Sequence, residues 1–198
     1  MPRWISFDEQ LWMGQKFLAL TNKEKQEKSG MPLSQERLIS IECFTMDLLR
    51  EAYGEGKDIL PPIDLNKMVN LAGLEIMAKE TRHPDFAGMY DRQKGLIIVK
   101  KSDPLFHKVF TVAHELGHYY LHSDKPSEIF YRHHQHLLET YPEEDQECEA
   151  NWFAASLLTP KRIFILFWGF IQNIDALAEC FGISSTVCYY RLKHLRMI

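Results

Sequence analysis

The chain has 198 residues, a length that suits one domain with a substantial core, or one domain with a small appendage. Apolar residues make up 45% and charged residues 25%, which is typical of a globular protein. The net charge of -4 excludes a global basic field that would attract nucleic acid or membranes. The four cysteines have no C-x-x-C spacing, which argues against a cysteine-based zinc site and favours reduced thiols.

The N-terminal sequence does not resemble a secretion signal or a membrane span. Asp8 and Glu9 interrupt the region in which a signal peptide has its apolar core. The longest apolar run, Ile163 to Ile171, has nine residues, whereas a membrane-spanning helix needs about 20. We therefore expect a cytoplasmic protein that is not inserted in a membrane.

The predicted elements begin with a helix over residues 4–20. An S-x-x-E capping box formed by Ser6 and Glu9 precedes its apolar positions. A charged, polar stretch then ends in glycine, which is typical of a linker. We expect residues 1–30 to form this helix and linker, and residues 31–198 to form the main domain.

Two helices are predicted next in the chain. The first begins near Ser34, which can act as its N-cap, and ends at Gly54. The second is short, with Asp64 as its cap and Gly73 at its end.

The apolar pattern then changes to that of strands. Leu74 to Ala78 is a short candidate, and Phe86 to Tyr90 and Leu96 to Lys100 form a predicted hairpin. Helices resume at Pro104, and the rest of the chain has a helical pattern. The predicted class is α+β, with a small antiparallel sheet packed on a helical core. A hairpin strand could offer an edge to an extended substrate, or both strands could be fully paired.

The C-terminal residues 172–197 have the pattern of a helix-turn-helix-like pair, with Gly182 at the turn. Arg191, Lys193 and Arg196 make the last helix basic, so one interpretation is binding in a DNA major groove. The other is a helical hairpin that closes the core. The acidic net charge favours the second, so we do not expect direct nucleic-acid binding.

A candidate metal site lies in the sequence H-E-L-G-H, from His114 to His118. Residues four apart lie on one face of a helix, so the two imidazoles can bind one zinc ion. Glu115, beside the first histidine, can then accept a proton from a water molecule without binding the metal. The alternative is an amphipathic core helix that carries two histidines by chance.

A catalytic zinc site usually has a third protein ligand. His122 continues the same face, but a helix rises about 6 Å over four residues, which places it too far along. Asp124 would need a glycine turn that the sequence lacks. Glu147 is the preferred ligand because Asn151, four residues later, can orient a ligand histidine from the same helix face. Glu149 points about 200° away from Glu147 and is its main competitor.

Two of these segments carry a resemblance to a known family. Ala113 to His118 (AHELGH) and Glu147 to Pro160 (ECEANWFAASLLTP) resemble the motifs of the ImmA/IrrE metallo-endopeptidases, although Thr159 stands where the family usually has methionine. The resemblance extends over about residues 35–196.

The resemblance implies a gluzincin-like fold with one zinc ion per chain. It implies His114, His118 and Glu147 as the zinc ligands and Glu115 as the general base. It also implies a protein substrate, since family members typically inactivate a helix-turn-helix repressor of a phage, mobile-element or stress-response system, usually by cleaving it.

The segment between the two motifs contains several aromatic and histidine side chains. One of them, such as Tyr141, could stabilise the oxyanion of the tetrahedral intermediate, while the alternative is a polar surface helix followed by an acidic loop. His122 and Glu149 are further candidates for accessory roles.

The sequence thus predicts a zinc-dependent endopeptidase. The alternative is a non-catalytic, zinc-containing anti-repressor that holds its regulator. The oligomeric state stays open.

Overall fold

The computed structural model describes residues 33–82, 86–122, 130–133 and 145–198, with only the backbone described for 130–133. They belong to one unit that runs from Pro32 to Ile198. The predicted N-terminal helix and linker, and Asp124 and Tyr141, lie outside the described residues.

The described residues form seven helices and a four-stranded sheet, which confirms the predicted α+β class. The helices are α1 (Gln35–Tyr53), α2 (Leu65–Leu71), α3 (Leu105–Leu121), α4 (Asp145–Leu158), α5 (Lys161–Ile171), α6 (Ile174–Phe181) and α7 (Ser185–His194). The strands are β1 (Glu75–Lys79), β2 (Phe86–Asp91), β3 (Leu96–Lys100) and β4 (Phe130–His133).

The two predicted helix caps before the sheet are present. The side chain of Ser34 accepts a hydrogen bond from the backbone N–H of Arg37 at 3.2 Å and so begins α1. Asp64 accepts from the backbone N–H of Asn66 at 3.0 Å and begins α2. Gly54 ends α1 with a φ of 90°, a conformation that favours glycine.

The sheet has the order β1-β3-β2-β4 and is mixed, so the prediction of a purely antiparallel sheet was wrong in one respect. β2 pairs antiparallel with both β3 and β4, as predicted for the hairpin. β1 lies beside β3 and pairs with it in parallel, with Ile76 opposite Ile97. Both β1 and β3 run opposite to β2, and two strands opposed to the same strand are parallel to each other.

One further expectation about strands was wrong, and of the two alternatives for the hairpin strands the fully paired one is observed. Phe130–His133, where a helical pattern was expected, is strand β4 and pairs with β2. Because β2 lies between β3 and β4, and β3 between β1 and β2, neither hairpin strand offers a free edge to a substrate.

The C-terminal helix pair has the predicted form, with Gly182 at a φ of 65° between α6 and α7. Val187, Cys188 and Leu192 give α7 a buried face. Arg191 is 1% exposed, and its Nη1 lies 2.7 Å from Oε1 of Glu42 in α1. This contact holds α7 against the core and removes its central arginine from the surface, which supports the core-closing interpretation over DNA binding.

No single helix among the described residues is long and apolar enough to cross a membrane. Helices α4 and α5 reach that length and composition only as a pair, across a bend of 60°.

Candidate metal centre

The two histidines of the H-E-L-G-H motif lie on the buried face of α3. His114 and His118 are each 1% exposed, and their Nε2 atoms are 3.0 Å apart. The helical repeat of 3.6 residues accounts for this proximity, because side chains four positions apart are stacked one turn above each other.

Helix α4 brings Glu147 to the same point. Its Oε2 lies 3.2 Å from Nε2 of His114, and its Oε1 lies 3.0 Å from Nε2 of His118. Burial alone would raise the pKa of Glu147, but the close contacts with both histidines outweigh it and hold this pKa well below its usual range. The carboxylate therefore remains ionised at neutral pH, as a metal ligand must be.

This set of side chains has the chemistry of a zinc site. His114, His118 and Glu147 form a cluster that could hold a metal ion, with their ligand atoms within 4.8 Å of one another. Two ligands bound at about 2.0–2.1 Å in tetrahedral geometry are about 3.3 Å apart. The Nε2 atoms of the two histidines are 3.0 Å apart, and each lies 3.0–3.2 Å from one oxygen of Glu147, so a single zinc ion fits the cluster with small adjustments.

The other ring nitrogen of His114 is also held. Its Nδ1 lies 2.9 Å from Oδ1 of Asn151, one helical turn after Glu147 on α4. Since an amide oxygen only accepts hydrogen bonds, Nδ1 of His114 carries the hydrogen and Nε2 presents its lone pair to the cluster. The structure thus brings Asn151 to the position expected for it.

His118 is held by a different set of residues. Its Nδ1 lies 3.1 Å from Nδ1 of His122, whose Nε2 lies 3.1 Å from Oε2 of Glu149. Arg37 closes the series with two contacts to Glu149, Nε to Oε1 at 2.7 Å and Nη2 to Oε2 at 2.6 Å. His122 and Glu149 therefore lie behind His118 and outside the three-residue cluster.

Arg37 is the member of this group that sequence reasoning missed. It lies on α1, 112 positions before Glu149 in the chain. No sequence spacing connects the two residues. The only available signal was that Glu149, two positions after Glu147, would need a cationic partner from elsewhere in the chain. The ion pair with Arg37 holds the pKa of Glu149 below its usual range.

Glu115 is fully buried at 0% exposure, next to the point where β2 passes over α3. Gly88 of β2 permits this close passage. A Cβ at Gly88 would overlap Cγ2 of Thr111, lie 2.9 Å from the carbonyl oxygen of Ile98, and come within 3.7 Å of Oε1 of Glu115. Because position 88 has no side chain, β2 can pass this close to Thr111 on α3, near the carboxylate of Glu115.

Gly117 likewise permits a close approach, here between α3 and α4. A Cβ at this position would lie 3.0 Å from Cα and 3.2 Å from the carbonyl oxygen of Ala150. The glycine within the H-E-L-G-H motif thus allows α4 to approach α3 closely enough for Glu147 to reach the histidines.

Comparison with known proteins is consistent with this geometry. A family model described as the IrrE N-terminal-like domain, Peptidase M78, matches residues 70–193. The chain belongs to this family. The matched range contains the three residues of the cluster and Glu115, but not Arg37.

Among solved structures, the fold is similar to that of a Mycobacterium tuberculosis transcriptional regulator. The identity is 15% and the TM-score 0.56, over 78% of this chain and 46% of the regulator. The IrrE-like chain therefore spans less than half the length of that protein, and the likeness concerns the fold alone. No curated protein matches the chain.

Proposed function

We propose that this IrrE-like chain is a zinc-dependent endopeptidase that hydrolyses a peptide bond of a protein substrate, with one zinc ion per chain. The observation that carries the proposal is the convergence of His114, His118 and Glu147 on one point, beside the buried carboxylate of Glu115. The described residues supply three ligand side chains to this cluster, the number found in a catalytic zinc site that keeps one position open, whereas a purely structural site usually has four.

In this proposal each residue has a defined task. His114, His118 and Glu147 would hold the zinc ion, which supplies Lewis-acid activation of a water molecule and of the scissile carbonyl. Glu115 accepts a proton from the attacking water as its oxygen bonds to the carbonyl carbon. It then returns that proton to the leaving nitrogen as the C–N bond breaks. Asn151 keeps the His114 ring in its ligand tautomer throughout.

A helix-turn-helix transcriptional repressor of a phage, mobile-element or stress-response system is the proposed substrate. Family membership supports this assignment. The four cysteines are free, which fits action in the reducing cytoplasm.

Substitution of Glu115 tests the catalytic part of the proposal. Cells expressing the wild type should contain new protein N-termini, detectable by terminal labelling and mass spectrometry, within helix-turn-helix proteins. Glu115→Gln should abolish these termini and retain about one zinc per chain, measured by elemental mass spectrometry on the purified protein. Glu147→Ala should lose the zinc as well. Glu75→Gln, an exposed glutamate on β1, is the matched control and should behave as the wild type.

The same experiment separates cleavage from the alternative function. A non-catalytic anti-repressor would relieve repression equally well with Glu115→Gln and would produce no new termini. If Glu115→Gln generates the same termini as the wild type, Glu115 is not the general base.

A further inference from the structure

The contacts behind His118 form a continuous polar series that crosses three helices. It runs from Arg37 on α1 to Glu149 on α4, then to His122 at the end of α3, and finally to His118. Every step is between 2.6 and 3.1 Å. We propose that Arg37 is a positioning residue for the metal site, acting through Glu149 and His122 to fix the ring of the ligand His118.

The direction of the hydrogens along this series follows from the chemistry of its two ends. Arg37 has only donors, so both oxygens of Glu149 accept from it. A carboxylate that accepts from Arg37 also accepts from Nε2–H of His122. In a neutral His122, Nδ1 is then an acceptor, and it faces Nδ1 of His118, which therefore carries a hydrogen. The remaining nitrogen of His118, Nε2, is left with the lone pair that a metal ligand requires.

When His122 is a neutral imidazole, the opposite arrangement does not satisfy the same contacts. His122 donates the hydrogen of Nε2 to Glu149, so its Nδ1 is an acceptor. If His118 carried its hydrogen on Nε2, its own Nδ1 would also be an acceptor, and two acceptors would face each other. The series of contacts therefore selects one tautomer of His118, and that tautomer presents Nε2 to the cluster with His114 and Glu147.

Burial makes this selection effective. The side chains of His118 and His122 are 1% and 4% exposed, and that of Glu149 is 15% exposed. Water competes little for these hydrogen bonds, in contrast to those of an ion pair on the surface. Arg37 is more exposed, at 39%, but its two parallel contacts hold both oxygens of Glu149 in one orientation.

The inference rests on the proposed function in one respect, namely that the cluster binds zinc. Beyond that, it adds a residue from outside the range matched by the family model, and it connects zinc affinity to the docking of α1. α1 also contacts α4 through the carbonyl oxygen of Leu38, which accepts from Nε1 of Trp152 at 3.0 Å.

Zinc affinity, measured by competition with a chromogenic chelator, is the primary test. Outer partners of ligand histidines change metal affinity by about 10–100-fold, so Arg37→Ala should weaken zinc binding by that factor. Arg37→Lys keeps one charged donor and should recover part of the loss. Arg50→Ala is the matched control, because it removes an exposed ion pair with Asp47 from the same helix and should leave zinc affinity unchanged.

A double substitution separates positioning from a merely structural role. If Arg37 acts through Glu149, the pair Arg37→Ala and Glu149→Ala should weaken zinc binding no more than Glu149→Ala alone. Additive losses would show that Arg37 acts by holding α1 in place, and would overturn the proposal. Unfolding of the zinc-free variants in urea checks that each one folds.

The wild type itself provides a test that needs no substitution. Nitrogen-15 NMR of the zinc-loaded protein should find hydrogen on Nδ1 of His118 and on Nε2 of His122. Hydrogen on Nδ1 of His122 would overturn the proposal, as would wild-type affinity in Arg37→Ala. If the wild type binds no zinc, the proposed function falls together with this inference. If it binds zinc and Arg37→Ala binds it equally well, only the inference falls.

Discussion

Replacing Gly117 with alanine should separate the two helices that build the metal site. A Cβ at this position would lie 3.0 Å from Cα and 3.3 Å from Cβ of Ala150, whereas carbon atoms in good contact are about 3.5–4.0 Å apart. The Cα of Ala150 is a backbone atom and cannot rotate away. Helix α4 must therefore move from α3 by roughly half an ångström.

Two opposing effects decide the stability of this variant. Alanine is more favourable than glycine in a helix interior by about 0.8–1.0 kcal/mol. Inserting a methyl group into a tight contact costs about 1–3 kcal/mol. Gly117→Ala should therefore lower the free energy of unfolding by about 0–2 kcal/mol, although the same change at an uncrowded helical glycine would raise it.

Gly169 supplies that uncrowded position as a matched control. It lies within α5, and in the part of the chain that the structure describes no atom beyond its own helix backbone and chain neighbours comes within 4 Å of a Cβ built there. Gly169→Ala should gain about 1 kcal/mol of stability from helix propensity alone. The difference between the two variants isolates the packing cost at Gly117, about 1–3 kcal/mol, and urea unfolding of the zinc-free proteins measures it.

Zinc binding should be more sensitive than stability to Gly117→Ala. Glu147 lies one turn before Ala150 and moves with it, while metal-ligand distances tolerate only about 0.2 Å. We expect the affinity for zinc, measured by chelator competition, to fall about tenfold or more. The reasoning is refuted if Gly117→Ala is as stable as Gly169→Ala and binds zinc as tightly as the wild type.

Two further predictions concern α7. Burial, and then the nearby charge of Arg191, lower the pKa of His194 from 6.5 to about 4, so the unfolded chain takes up this proton first. The lowered pKa therefore reduces the free energy of unfolding; this reduction is absent above about pH 6.5 and grows as the pH falls toward 4. Between pH 7 and 5, zinc-free His194→Gln should therefore lose about 2 kcal/mol less of its free energy of unfolding than the wild type; equal losses would contradict the burial of this ring. Glu42→Ala should lower the free energy of unfolding by about 3 kcal/mol, because it leaves the buried guanidinium of Arg191 without its carboxylate. Asp47→Asn, which weakens an exposed ion pair on α1, should change it by less than about 1 kcal/mol in the same urea titration, and similar losses in both variants would count against a buried ion pair.

Local patterns account for the features that sequence reasoning located. Ser34 and Asp64 cap helices through bonds to residues two or three positions away, so a short window contains both partners. His114 and His118 meet because of the helical repeat alone. Glu147 and Asn151 lie on the same face of α4, and both contact His114.

The features that sequence reasoning missed depend on contacts between distant segments. The parallel pairing of β1 with β3 follows from the path of the chain around β2, which no residue type encodes locally. Strand β4 pairs with β2, and this contact between distant segments is not contained in any short sequence window. Arg37 reaches Glu149 only after α1 packs against α4.

Helix α4 contacts both sides of the cluster within two turns of its own backbone. Glu147 meets Nε2 of His118, and Glu149, two positions later on the opposite side of α4, reaches Nδ1 of the same ring through His122. In the proposed zinc site, binding therefore depends on the docking of α4 on α3 and is strengthened by the contact with α1. Because a ligand that binds only the docked state stabilises that state, zinc should lock the three helices together. Amide hydrogen exchange in the first two turns of α4 should then slow on zinc addition.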